Sequence, residues 1–260
     1  MEKFVCNKCG ECCRNIMGLR GEKEVEEYKK DQEEEKAFYN ILKPEELSIL
    51  IFDWEKPKLK ELANDMNIAL RIIPRNVVLS PEGNPIVIGW DLNYNICPFL
   101  KGNECSIYEN RPLICQSFPL YESVYNFLCG GDRVKIGTLK CPKMVKYEEL
   151  TGKMQMIEWS KKMFEVFGDA FISSVKCDIA KFMINFYVTN LIKSEHVFPY
   201  RIDKETVIKK CQKSVIGLCQ FMLNKNLISQ GEINEIPNMI ENVSKEFLRE
   251  GNISESKRKL

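Results

Sequence analysis

Histidine is nearly missing from this chain: His196 is the only one in 260 residues, and it lies in a helical stretch well after the cysteine-rich part. Mixed cysteine–histidine zinc ligation is therefore poorly supplied. The sequence also lacks the G-x-x-x-x-G-K-[ST] phosphate loop, the G-x-G-x-x-G dinucleotide turn, the H-E-x-x-H zinc helix and the G-x-S-x-G nucleophile elbow. The C-x3-C-x2-C run of common radical S-adenosylmethionine enzymes is missing too. Any catalysis has to lean on a metal. Charge of one sign is also lacking, with 38 basic residues against 37 acidic and a net charge of +1. So balanced a chain has no broad field to gather nucleic acid or an anionic membrane, and neither is indicated as a partner. No stretch reaches the roughly 20 uncharged apolar residues that cross a bilayer. The best candidate, Phe171 to Ile192, is interrupted by Lys176, Asp178 and Lys181. Met1-Glu2-Lys3-Phe4-Val5-Cys6 is no apolar signal segment, so a cytoplasmic location is expected.

What the chain has is cysteine, 12 in all, within an ordinary globular composition of 44% apolar and 29% charged residues. In a reducing compartment, clustered thiols are better explained as metal ligands or redox groups than as disulfides. Their distribution is uneven. Cys6, Cys9, Cys12, Cys13, Cys97, Cys105, Cys115, Cys129 and Cys141 precede residue 142; only Cys177, Cys211 and Cys219 follow it. Those last three sit in helical patterns and read as small buried apolar residues.

Residues 1–20 read as a turn-rich loop. Helices are expected over Glu22–Leu42, from Pro44 (a helix-starting residue followed by two glutamates) to Phe52, and over Pro57–Asn67. Ala69–Leu79 and Pro85–Leu92, rich in Ile and Val, read as two strands joined by a Ser80–Asn84 hairpin loop. Further extended segments are expected at Glu104–Tyr108, Leu120–Leu128 and Arg133–Leu139. After that, apolar residues at three- and four-residue spacing mark helices over Lys143–Phe167, Ala170–Lys193, Lys204–Asn226 and Glu232–Arg249. In the second of these, Ile172, Val175, Ile179, Phe182 and Phe186 are expected to form one face. The fold class is thus α+β: a cysteine-rich N-terminal region of short strands, turns and helices, packed on a C-terminal helical bundle. The expected division is a cysteine-cluster domain over 1–145, a helical region over 146–250 and a polar tail over 251–260.

Cys6, Cys9 and Cys12 recur every three residues, a spacing that lets three thiolates turn toward one centre. Bacterial ferredoxins use the same C-x2-C-x2-C run, completed by a remote Cys-Pro, and Cys97-Pro98 and Cys141-Pro142 are candidates for that role. Cys12 and Cys13 are adjacent, and neighbouring side chains in extended chain point to opposite faces, so the two either supply two neighbouring sites or leave one as a thiol beside the ligands. Iron–sulfur is the first reading, zinc the second, and disulfides or inert thiols the third. Cys6 and Cys9 suit a four-cysteine zinc site, but Cys97, Cys105 and Cys115 supply no second close pair. Arg111-Pro112 reads as the start of a short helix, and alternatively places a positive charge beside metal-bound thiolates. Tyr108 reads as a packed core residue and His196 as structural.

The opening Phe4-x-Cys6-x-x-Cys9-Gly10-x-Cys12-Cys13 resembles the signature of the CxxCxxCC family of zinc- or iron-chelating proteins. So do Cys97-Pro98-Phe99-Leu100, Cys105-x-Ile107-Tyr108-x-x-Arg111-Pro112-x-x-Cys115-x-x-Phe118-Pro119 and Lys140-Cys141-Pro142, with Gln116 where an arginine is common. The resemblance covers roughly residues 1–145, with a long insertion holding the hairpin. It implies Cys6, Cys9, Cys12, Cys13, Cys97, Cys105, Cys115 and Cys141 as metal ligands, with Cys129 less secure. The family includes the flagellin lysine N-methylase. By that analogy the resemblance also implies an iron–sulfur cluster of the 4Fe-4S kind, S-adenosylmethionine as a further cofactor, and a protein substrate or electron-transfer partner. The alternative is a non-enzymatic zinc module.

Overall fold

The computed structural model describes residues 2–6, 8–14, 16–18, 38–120, 156–198 and 202–250. Strands β1 (Tyr39–Asn40) and β2 (Leu50–Ile51) come first, then helix α1 (Lys56–Asp65) and the hairpin of β3 (Ile73–Leu79) and β4 (Pro85–Asp91). The short ribbon of β5 (Leu100–Lys101) and β6 (Glu104–Cys105) leads into α2 (Leu113–Ser117). Helices α3 (Met156–Phe167), α4 (Asp169–Lys193) and α5 (Lys204–Lys213) follow, then β7 (Ile216–Gly217), α6 (Leu218–Asn224) and α7 (Gln230–Glu250). The class is α+β, as expected, with the helices concentrated after residue 155.

The chain divides into two compact units: Met1–Cys12 with Lys101–Phe182 and Glu235–Leu260, and Cys13–Leu100 with Met183–Asn234. Each draws on both the cysteine-rich and the helical parts of the sequence.

The second unit is built on a five-stranded sheet in the order β1-β3-β4-β2, with β7 also on β4. The hairpin forms where the sequence placed it, with Gly83 at a φ of 76° in its loop and the Lys210 ammonium donating to the Gly83 carbonyl at 2.7 Å. Strand β4 is buried at every residue. It pairs with β3 on one edge, while β2 and the parallel β7 divide the other, at Trp90–Asp91 and Ile86–Val87 respectively. That accounts for its nearly unbroken apolar run, since a strand covered on both faces has no polar side. Phe52, Val77, Val78, Ile86 and Val87 are wholly buried, each worth about 1.5–3 kcal/mol of transfer free energy.

Two helix expectations fail in this unit, and the end of a third, because sheet pairing outweighs local pattern. Most of Glu22–Leu42 lies outside the described residues, but its end is strand β1, where Tyr39 pairs with Val77. The Tyr39 hydroxyl also accepts from the Ile202 amide at 2.7 Å. The Pro44 helix stops after one turn, Pro44–Glu46, and Leu50–Ile51 joins the sheet as β2. Lys204–Asn226 is interrupted by β7, whose Gly217 lies so close to the Asp53 carboxylate that a Cβ there would collide with it. The α1 helix matches its expected span to within two residues.

The first unit has its core at Leu120, Met163, Val166, Phe167, Phe171, Val175 and Leu248. A Lys176–Glu241 ion pair ties α4 to α7. The expected apolar face of α4 is only partly buried: Val175 is inside, whereas Phe182 and Phe186 are 55% and 56% exposed. The buried apolar positions of the helix are Phe171, Val175, Cys177, Ala180, Ile184, Val188 and Leu191. The helix is apolar on more than one side, so spacing alone chose the wrong stripe. Leu120–Leu128 beyond its first residue, Arg133–Leu139 and the start of Lys143–Phe167 lie outside the described residues. No helix among the described residues is long and apolar enough to cross a membrane.

Candidate metal centre

The first cysteine loop is moored through Phe4. Its amide donates to the Val166 carbonyl at 2.8 Å, and its ring lies 5.6 Å from that of Phe167. Beyond this anchor the chain turns sharply between the cysteines. Lys8 and Gly10 have φ of 52° and 76°, and the Lys8 amide donates to Cys6 Sγ at 3.4 Å. A left-handed residue costs an ordinary side chain about 1–2 kcal/mol, which makes the Lys8 conformation a feature that packing must hold in place. Gly10, which is buried, adopts it without that penalty. A 3-10 turn, Glu11–Cys13, ends the loop.

In the second unit the two distant cysteine blocks meet. The Cys97 amide donates to the Cys13 carbonyl at 2.8 Å, and the Ile16 amide donates to the Asn95 carbonyl at 2.9 Å. Ile16, 2% exposed, fixes this stretch in the core, and the Gly18 amide extends the seam to the Leu47 carbonyl at 2.8 Å.

In the first unit, Cys105 ends β6 and is half-buried. Burial pushes its thiol up; the Ile107 amide and the Arg111 guanidinium oppose that, and the charge of Cys12 adds to it. Tyr108 is 41% exposed rather than a core residue, because its ring serves two cations. The Arg111 guanidinium carbon lies 3.7 Å from the ring centroid, and Lys8 Nζ lies 5.8 Å from it. Arg111 Nε also donates to the Tyr108 carbonyl at 2.8 Å. Pro112 caps the short helix α2, one position before the N1 site expected of it.

The ligand candidates therefore fall into two groups. Cys6, Cys9, Cys12, Cys105 and Cys115 belong to the first unit, and Cys13 and Cys97 to the second, with the division between adjacent Cys12 and Cys13. Cys129 and Cys141 lie outside the described residues. The ten described cysteines are all thiols. Among the described residues, no three Cys, His, Asp or Glu side chains stand close enough together to hold a metal. The donor chemistry nonetheless fits a thiophilic metal: sulfur donors from separate blocks held in place by backbone bonds, with a cation at hand.

The later cysteines behave as expected of packing residues. Cys177 and Cys219 are buried. Burial pushes the Cys211 thiol up to about 11, and burial with the Asp53 carboxylate pushes Cys219 up. His196 is turned to its own neighbourhood, with Nδ1 2.7 Å from the Ser194 carbonyl.

Two features escaped the sequence reading. Lys8 was legible only by its place between Cys6 and Cys9. Nothing local marked the second, a charged cluster in the sheet unit. There Asp53 accepts from Trp90 Nε1 at 2.6 Å and from the Cys219 amide at 2.7 Å, while Lys56 Nζ lies 3.0 Å from the centre of the Trp90 ring. Burial lowers Lys56 to about 8, against the pull of Asp53.

A cysteine-rich segment without histidine has the donor set of a cysteine-type metal-chelating domain. Residues 5–130 match the model of the CxxCxxCC family, described as a putative zinc- or iron-chelating domain. Comparison with curated proteins and with solved structures finds no match.

Proposed function

We propose that this chain is a cytoplasmic iron–sulfur protein of the 4Fe-4S kind, and that its cluster serves redox or protein lysine N-methylation chemistry. The observation that carries the reading is the seam between Cys13 and Cys97, which joins the two blocks of the family's cysteine pattern through a backbone hydrogen bond. The residues proposed to hold metal are Cys6, Cys9, Cys12, Cys105 and Cys115 in one unit, Cys13 and Cys97 in the other, and Cys141. Eight thiols would serve one four-cysteine cluster with several to spare, or two. Bound there, an iron–sulfur cluster would supply one-electron redox chemistry. The scarcity of histidine and the lack of a second close cysteine pair favour iron–sulfur over zinc.

Anaerobic purification with iron, acid-labile sulfide and zinc analysis tests this. Iron and sulfide in comparable amounts are the expected result. Stoichiometric zinc without sulfide would make the domain a zinc module in which metal binding stabilises a scaffold. Methylation further requires S-adenosylmethionine, with a protein as substrate. Calorimetry on the anaerobically reconstituted protein should show its binding, and a flat titration removes the methylase option.

A further inference from the structure

We infer that Lys56 is a covalent modification site: its side-chain amine, seated on the face of Trp90 beside a fully engaged carboxylate, takes an acyl group from an acyl phosphate. The site lies in the sheet unit and is independent of the metal reading. Three features of its surroundings make the amine a nucleophile. Lys56 Nζ stands 3.0 Å from the centre of the Trp90 ring, which covers one side of it. Among the described residues it has no hydrogen-bond acceptor and no ion-pair partner. The nearby Asp53 carboxylate is already taken, one oxygen by Trp90 Nε1 at 2.6 Å and the other by the Cys219 amide at 2.7 Å.

The ring face attracts an ammonium. An ammonium nevertheless brings three proton donors, which one ring face answers poorly, so half-burial favours the neutral amine. Burial accordingly lowers the pKa to about 8, against the pull of Asp53 and with the help of Lys60. A desolvated lysine of this kind is an activated nucleophile. Lys60 lies four residues on, on the same side of α1, and is exposed, which gives the phosphate of the donor a counter-charge. Lys58 is already paired with Glu61 at 3.1 Å. In the reaction the Nζ lone pair attacks the acyl carbon, forming the C–N bond as the C–O bond to phosphate breaks. Phosphate leaves with that electron pair, and water takes the proton lost by nitrogen. The product is a neutral amide with one N–H, so acylation removes the cost of a half-buried charge.

The test treats the whole folded chain with acetyl phosphate at about pH 7.5 and follows each lysine by mass spectrometry. Cleavage after Glu55 and Glu61 gives one peptide that holds Lys56, Lys58 and Lys60, and its fragments locate the acetyl group. An amine with a pKa of about 8 is roughly one quarter free base at that pH, against roughly one part in a thousand for an ordinary lysine. Half-burial and lower basicity take back part of this advantage, leaving Lys56 an expected rate about tenfold above its two neighbours. The preference should vanish in concentrated urea and fall in Trp90→Leu. Acetylation of Lys56 no faster than of Lys58 and Lys60 overturns the inference. An equal preference in urea does so too, since the fold would then have no part in it. Trp90→Leu reacting like wild type overturns the role of the ring. Should that variant fail to fold by circular dichroism, the comparison of folded with urea-unfolded wild type decides.

Discussion

The amide of Cys97 donates a 2.8 Å hydrogen bond to the carbonyl of Cys13, so the start of the second cysteine block is fastened to the end of the first. The cysteine pattern is therefore not a self-contained N-terminal metal loop. It is a split motif whose end of the first block and start of the second share this backbone bond, and its disruption should be felt in folding as well as in metal content.

Ligand thiols and packing thiols should separate cleanly by substitution. Cys12→Ser and Cys105→Ser are expected to reduce metal affinity by more than the roughly 10–100-fold that loss of a supporting neighbour costs. Cys177→Ala and Cys211→Ser, in buried and half-buried helical positions, should leave bound metal unchanged. Metal analysis after gel filtration reads the difference. Equal retention across all four would contradict the ligand assignment.

The Phe4 anchor should matter to the cysteine loop. Phe4→Ala removes the ring set against Phe167 and should cost the first unit about 1–2 kcal/mol, as a partly buried aromatic does. Urea titration of the metal-free protein measures this. An unchanged midpoint would mean that the loop is held elsewhere.

Asp53 should be among the most sensitive positions of the sheet unit. Asp53→Ala leaves Trp90 Nε1 and the Cys219 amide without their acceptor, for an expected loss of roughly 2–4 kcal/mol. Gly217→Ala drives a methyl group into the same carboxylate and should also destabilise. A pair of variants as stable as wild type would show that this cluster has little part in the fold.

Lys56 should give stability a particular pH dependence. Its folded value, about 8, lies below the ordinary 10.5, so the unfolded chain holds more protons between those two values. Stability from this group is fully present above about 10.5 and is lost as pH falls through about 8. Denaturation midpoints of wild type should therefore rise relative to Lys56→Met as pH goes from 8 to 10.5. Parallel curves would contradict the lowered value.

The sequence carried the hairpin, helix α1 and the α+β class, because there the apolar period, the turn residues and the tertiary partners agree. It also carried the cysteine motif and the prospect of a cation at Arg111. It failed where a partner distant in the chain decided the outcome. Tyr39 became a strand because Val77 lies opposite it, and Gly217 broke a long apolar period because β4 and Asp53 accept it there. Phe182 and Phe186 fitted a helical stripe as well as the buried residues did, and only packing separates them. Tyr108 looked like core for the same reason that it suits cations: a large ring with two apolar faces.

The most direct test of the central claim is X-ray absorption on the anaerobically purified protein, which reads metal identity and ligand atoms together. An iron edge, a first shell of sulfur and a second shell of neighbouring iron are predicted. A zinc edge with sulfur at about 2.3 Å would keep the thiolate site and replace the cluster. A first shell of nitrogen or oxygen at about 2.0–2.1 Å, or no bound metal, would contradict the account.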